Sequence, residues 1–260
     1  MAALIAAMIA MLLLLPPACS GQVTVETDRP DVANSTKTVP PGYVQLESGY
    51  RYTIASVRGE HATRRSSAEA TVRVGVTPSL ELRLDAEPYV DLRNGERTHG
   101  VGDAVFGAKW RLLDAPDEGR APAVGVFPFV KVPSADAPIG SEEVDFGLLG
   151  LLSFELPAAL ALDVNLGVAA LGQADRSGFL MQGLAAVSLG RRLFETVTGF
   201  GELFFASRAE RDGREMLGAD AGLIWVVHHR VALDVAVETT LVGRGPDFGF
   251  RIGATVLLGR

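Results

Sequence analysis

Charged side chains recur two or four residues apart within short stretches of this chain. They are Glu47 and Arg51; Glu69 and Arg73; Glu81, Arg83 and Asp85; Lys109 and Arg111; then Asp163, Asp220, Asp234, Glu238 and Arg251. On one face of an extended chain, these mixed charges would make a polar lining that orients a passing solute. They could equally pair among themselves, Arg73 and Arg83 with neighbouring carboxylates, and brace a wall. A lumen can be braced and conducting at once, so both readings stand. Signals of covalent chemistry are weak. The sequence has no Gly-x-Ser-x-Gly elbow and no Ser, His and acid arrangement that points to a lipase or deacylase. His228 and His229 are adjacent, which in an extended chain sends them to opposite faces, and His61 and His99 fall in polar links. No metal site and no cofactor are expected. Gly100-x-Gly102 reads as a loop entering a strand, since a nucleotide cradle needs a following helix. Glu142-Glu143-x-Asp145 reads as a solvated surface or a loop that holds Ca²⁺.

The elements that would position these charges repeat with a period of two. In Tyr43 to Ile54, the residues Val44, Leu46, Tyr50, Tyr52 and Ile54 oppose Gln45, Glu47 and Arg51. Leu80, Leu82 and Leu84 oppose Glu81, Arg83 and Asp85. Similar alternation runs through Ala68–Val76, Ala104–Leu112, Leu160–Val168, Leu217–Trp225, Val231–Glu238 and Phe248–Leu258. The stretches Ala123–Val132, Val144–Glu155, Phe179–Arg191 and Thr196–Ala206 are less cleanly phased but as long. These make about twelve strands, each near the ~9–11 residues a tilted strand needs to cross a bilayer.

The links alternate in length. Those after Ile54, Val90, Val132, Ala170, Ala206 and Thr239 are long and polar, as in Asp91-Leu92-Arg93-Asn94-Gly95-Glu96-Arg97. Those at Thr77-Pro78-Ser79, Leu156-Pro157, Leu193-Phe194-Glu195 and Val227-His228-His229 are short; only Asp114 to Ala121 breaks the rule. Short turns on one side and longer loops on the other mark a transmembrane barrel, with the short turns periplasmic. A soluble barrel would put the charges outside and a dry interior within. The pattern therefore predicts an all-β, transmembrane antiparallel up-and-down β-barrel of about 12 strands over residues 43–260, with outer-membrane lipid around it. Trp110, Trp225 and Tyr50 read as interfacial girdle residues or as single lipid-facing aromatics.

The totals agree with this. Net charge is −7, with charged residues at 21% of the chain and mean hydropathy of +0.23. The acidic balance and the lack of a Lys/Arg stripe argue against nucleic acid. Past the N-terminus no apolar run approaches the ~20 residues of a spanning helix. Residues 1–20 read as an export signal, apolar from Ala2 to Leu15 and broken at Pro16-Pro17, with small residues before Gly21. Cys19 would leave with that signal or become the acylated first residue of a lipoprotein. It is the single cysteine, so no intrachain disulfide is available. Residues 21–42, polar and Pro-rich, read as a lumen plug in which Asp28, Arg29 and Asp31 pair with lining charges, or as a periplasmic tail. The final Leu257-Leu258-Gly259-Arg260 lacks the terminal aromatic that barrel-assembly machinery usually reads.

Thr27-Asp28-Arg29-Pro30-Asp31 and the run from Val39-Pro40-Pro41-Gly42 through Tyr50 look like the mature start of one family. Val74–Arg83, Gly102-Asp103, Gly107–Leu113 and Pro122–Pro133 extend the likeness across the first half. The chain thus resembles the outer-membrane transporters grouped as "MetA-pathway of phenol degradation". That resemblance implies a Gram-negative outer-membrane barrel that passively passes a small, aromatic or hydrophobic organic solute. Two other functions stay open: a structural or adhesion-type barrel with a closed lumen, and a membrane-embedded hydrolase.

Overall fold

A computed structural model describes residues 23–56, 61–116, 121–174 and 177–259. The expected export signal, with Cys19, lies outside the described residues. The regular elements among the described residues are all strands: β1 Tyr43–Ala55, β2 Thr63–Thr77, β3 Leu80–Asn94, β4 Glu96–Gly100, β5 Ala104–Leu113, β6 Ala123–Val132, β7 Asp145–Leu156, β8 Leu160–Gly172, β9 Phe179–Phe194, β10 Val197–Ala206, β11 Met216–His228, β12 Val231–Gly243 and β13 Phe248–Gly259. Every neighbouring pair is antiparallel. β1 pairs with both β2 and β13, and β3 pairs with β2 and β5, so the sheet closes. Twelve strands form the wall, while β4 pairs only with the end of β3. Closure leaves no unpaired edge, which hydrocarbon requires.

Alternation sets the two faces. Leu82, Leu166 and Ile252 are 51%, 60% and 49% exposed on the outside, where lipid covers them, whereas Arg73 and Lys109 inside are 0% exposed. Aromatic residues gather at both edges of the apolar belt. Phe106, Phe146, Phe179 and Phe248 are exposed near the loop end, with Phe146 edge-on to Phe179 at 5.6 Å. Trp110, Trp225 and Phe194 are exposed near the turn end. Both termini of the barrel and the short turns share one rim, which is the periplasmic one.

The structure differs from the sequence expectations in its loops and turns. Asp91–Arg97, expected as a loop, is the β3–β4 hairpin. Asp91 pairs with His99 and Arg93 with Arg97, and Gly95 takes φ +75° at the turn. Asn94-Gly95 favours such a turn, and Arg93 and Arg97 both bind the Asp91 carboxylate. His99 accordingly sits in a strand. His228 and His229 do not point apart: their rings lie 4.0 Å centroid to centroid. His228 ends β11 at a register shift and His229 is in the turn, so strand geometry no longer separates them.

The acidic loop run also has a local explanation. Asp145 heads β7 and pairs with Lys131 at 2.7 Å, and no group of three potential metal ligands occurs among the described residues.

Candidate lumen site

The segment preceding β1 lies inside the barrel. It enters at the periplasmic rim, where the Val25 N–H donates to the His229 carbonyl at 2.7 Å. It rises to Pro30–Val32 and returns, so that the Thr38 hydroxyl donates to the Pro78 carbonyl in the β2–β3 turn. Its base is apolar: Val25 and Val39 pack with Ala232 and Leu257 of the wall. Its tip is polar and meets the wall through charges and amides.

On one side of the wall three cations converge. Arg73 on β2 and Arg83 on β3 are direct cross-strand partners, and like charges at such a position repel. Lys109 on β5 stands beside them. Asp28 of the segment lies among all three, with Oδ2 at 2.5 Å from Lys109 Nζ, 3.2 Å from Arg83 and 3.3 Å from Arg73. Burial alone would raise the Asp28 carboxyl, but the Arg73, Lys109 and Arg83 cations outweigh it and hold it below the usual carboxylate range. Glu81 and Glu47 bind Arg73 at 2.8 and 3.0 Å, and Asp85 binds Arg83 at 2.8 Å.

The other side carries a row of carboxylates. Glu202, Asp220 and Glu238 face one another across β10, β11 and β12, and Asp163 continues the row through Ser188. Glu202 accepts the Val32 and Ala33 N–H groups at 2.8 and 2.6 Å. Arg251 binds Glu238 at 2.6 Å, approaches Asp220 at 3.9 Å and donates to the Pro30 carbonyl. Arg51 also binds Glu238, at 2.7 Å. Asp163 accepts from the Ser153 hydroxyl. Asp31 points into this side with a single hydrogen bond, from the Ser188 hydroxyl at 2.9 Å.

Arg29 reaches Glu69 at 2.7 Å and Asp234 at 3.6 Å. It fits because Gly49 and Gly253, register partners on β1 and β13, leave a notch in the wall. A Cβ on Gly49 would lie 2.6 Å from the Arg29 Cζ, and one on Gly253 would lie 2.7 Å from its Nε. Gly253→Ala, whose new Cβ would meet only the side-chain ends of Arg29 and Asp234, should therefore leave the barrel folded, by its gel shift on heating, while the N-terminal segment becomes sensitive to protease.

Of the charges expected in the lumen, Arg111 stands apart. It is at the periplasmic rim, bonded to Asp114 at 2.6 Å and to the Pro78 carbonyl. The remaining thirteen lie along the interior with the segment among them. Glu202 was not among the expected residues, nor were Asn165 and Ser188, which bind Asn34 and Asp31. The signal for Glu202 was present: it is the sole charge in Val197–Ala206 and cannot face lipid. It was masked because Phe200, buried, shares its inward face and blurs the alternation.

Above the segment is a cavity of about 600 Å³, floored by Asp28–Val32 and walled by Arg51, Glu69, Arg83 and Asp85. Towards the loops it is bounded by Arg65, Glu87, Asp103, Lys131 and Ile139. Arg65 and Glu87 pair at 2.5 Å, and Arg65 donates to the Ile139 carbonyl of the β6–β7 loop.

A closed twelve-stranded barrel with a lipid-facing apolar belt and a charged interior is a transmembrane protein of the bacterial outer membrane. Residues 27–258 match the family described as "Putative MetA-pathway of phenol degradation", and the chain belongs to that family. No curated protein matches it in sequence. Among solved structures it is similar to an outer membrane channel from Pseudomonas putida F1, at 15% identity and a TM-score of 0.66, covering 90% of this chain and 100% of that one. It is also similar to the NanC porin, at 12% identity and a TM-score of 0.56, covering 82% of this chain and 98% of that one. The translocator domain of the autotransporter NalP from Neisseria meningitidis follows, at 12% identity and 0.50, covering 82% and 87%. These likenesses establish the fold.

Proposed function

We propose that this chain is a passive outer-membrane channel for small organic molecules, stoppered by its own segment Val23–Gly42. The observation that carries this is the division of the segment. Its base is anchored in an apolar cluster, whereas its tip is held in a polar lumen by ion pairs and hydrogen bonds that water or a solute can replace. The cavity above the tip is room for a solute, closed towards the loops by polar contacts such as Arg65–Glu87 that a solute can part. The lining charges that meet the tip are assigned to holding it and, once it moves, to the solute. The reading needs no covalent chemistry and no cofactor, and it implies insertion by the barrel-assembly machinery. The two likenesses with the higher TM-scores are to proteins described as a channel and a porin, and the family label supports a small organic solute.

Single-channel recording in a planar bilayer tests it. The full chain should show small or infrequent steps, and a variant lacking residues 23–38 should show severalfold larger ones. Absence of steps from both would establish a closed structural barrel and end the channel reading.

A further inference from the structure

We propose that the socket filled by Asp28 is a binding site for a small aromatic carboxylate, which takes the place of Asp28 and loosens the stopper. The inference rests on the channel reading above and adds its solute class. Three cations on three neighbouring strands converge on one carboxylate oxygen that does not belong to the wall. The wall cannot replace it unaided. Arg73 and Arg83 keep Glu81, Glu47 and Asp85, but Lys109 has only Glu81 at 3.7 Å. The two oxygens that accept from Lys109 at hydrogen-bond distance are those of Asp28 and the Lys37 carbonyl, both on the segment. When the tip leaves, a buried ammonium loses both acceptors, a costly state that an incoming anion relieves.

Asp28 and Arg83 form the face of the socket nearest the cavity, with Arg73 and Lys109 fully buried behind them, so a ligand enters as Asp28 leaves. On its loop side that cavity is bounded by the Arg65–Glu87 pair. The Arg83 guanidinium lies 5.7 Å from the centroid of the Phe127 ring, and Phe129 lies 6.1 Å from Phe127. Both rings project inward beside an otherwise charged wall. Arginine recognises a carboxylate through paired N–H groups, and an adjacent aromatic face favours a flat apolar body over a saturated one. Ligand and Asp28 compete for the same atoms, so by reciprocity any change that weakens the Asp28 contact strengthens ligand binding by a matching factor.

Benzoate is the probe, with benzyl alcohol and cyclohexanecarboxylate beside it, titrated calorimetrically into the detergent-solubilised full chain and into Asp28→Asn. Benzoate should bind the variant roughly tenfold more tightly than the parent, within the usual range of site-to-site coupling. Benzyl alcohol should bind neither, and adding Lys109→Met to Asp28→Asn should abolish the gain. Equal benzoate affinity for parent and variant would overturn the site, as would equal binding of benzyl alcohol. Equal binding of cyclohexanecarboxylate would overturn the aromatic preference. Should Asp28→Asn not fold, the parent carries the test in a bilayer. There benzoate and not benzyl alcohol should lengthen openings, and no response sinks the proposal. Liposome swelling with a neutral solute, using the variant that lacks residues 23–38, separates the two readings. Swelling without benzoate binding leaves the channel and removes the carboxylate site; no swelling removes the channel itself.

Discussion

Arg73→Met should destabilise the folded barrel by about 3–5 kcal/mol, the cost of removing one partner from a buried charge network. The side chain is wholly buried, and it holds Glu81, Glu47 and Asp28 within 3.3 Å. Methionine fills much of the volume but leaves those carboxylates facing one another, with Lys109 and Arg83 as the nearby cations. Urea unfolding in lipid vesicles, followed through Trp110 and Trp225, measures the loss. Arg51 is the control. It is 34% exposed and shares Glu238 with Arg251, so Arg51→Ala should cost below about 1 kcal/mol. Similar losses for the two variants would show that the Asp28 cluster is no more important than an ordinary interior pair.

Channel activity should rise as pH climbs above the ordinary carboxylate range, and Asp31→Asn should make that rise shallower and lower the current. Burial, and next the Glu202 carboxylate, push the Asp31 carboxyl well above its ordinary 3.8; Ser188 opposes this, while Asp220 and Asp163 add to it. The charges beside this acid-rich seam are Glu238 and the Arg251 guanidinium, which binds Glu238 and the Pro30 carbonyl. A pKa raised in the docked state means that docking takes up a proton. The contribution of Asp31 is therefore fully present at low pH and is lost as pH rises through the raised value. Asp28 has the opposite sign. Its pKa is depressed below 3.8, so its contribution is present above that value and fades only in strong acid. Asp28 is thus constant outside strong acid, whereas Asp31 adds to the slope above the ordinary carboxylate range. Conductance against pH for the parent and Asp31→Asn is the measurement, and superimposable profiles would refute the assignment.

How much of this was legible beforehand differs from strand to strand. Leu80–Asp85 could be phased by eye, because each inward position carries a charge and each outward one a leucine. β6 and β10 resisted, because Phe127, Phe129 and Phe200 face inward and break the contrast on which phasing depends. The hairpin at Asn94-Gly95 was hidden by its polarity, which resembles that of a loop when burial is the only guide. Local turn chemistry, not hydropathy, carried the signal there.

The sequence by itself determined the two-residue period, the long and short links and the placing of charges on one face. These suffice for a closed membrane barrel because lipid allows backbone to cross only as a helix or a closed sheet. The charge types along Asp28-Arg29-x-Asp31 also announced a segment able to pair with a lining. Only the tertiary structure decided which charges meet. Arg73 opposes Arg83 through a bulge at Gly75–Thr77 beside a short turn, and Glu202 opposes Asp220 through the register of two strands joined by a longer loop. That register gathers three cations around Asp28 on one side of the lumen and a row of carboxylates around Asp31 on the other. No linear pattern contains it, because cross-strand neighbours follow from how each strand slides against the next. The outer face, where every position sees the same lipid, can be read residue by residue; the inner face cannot.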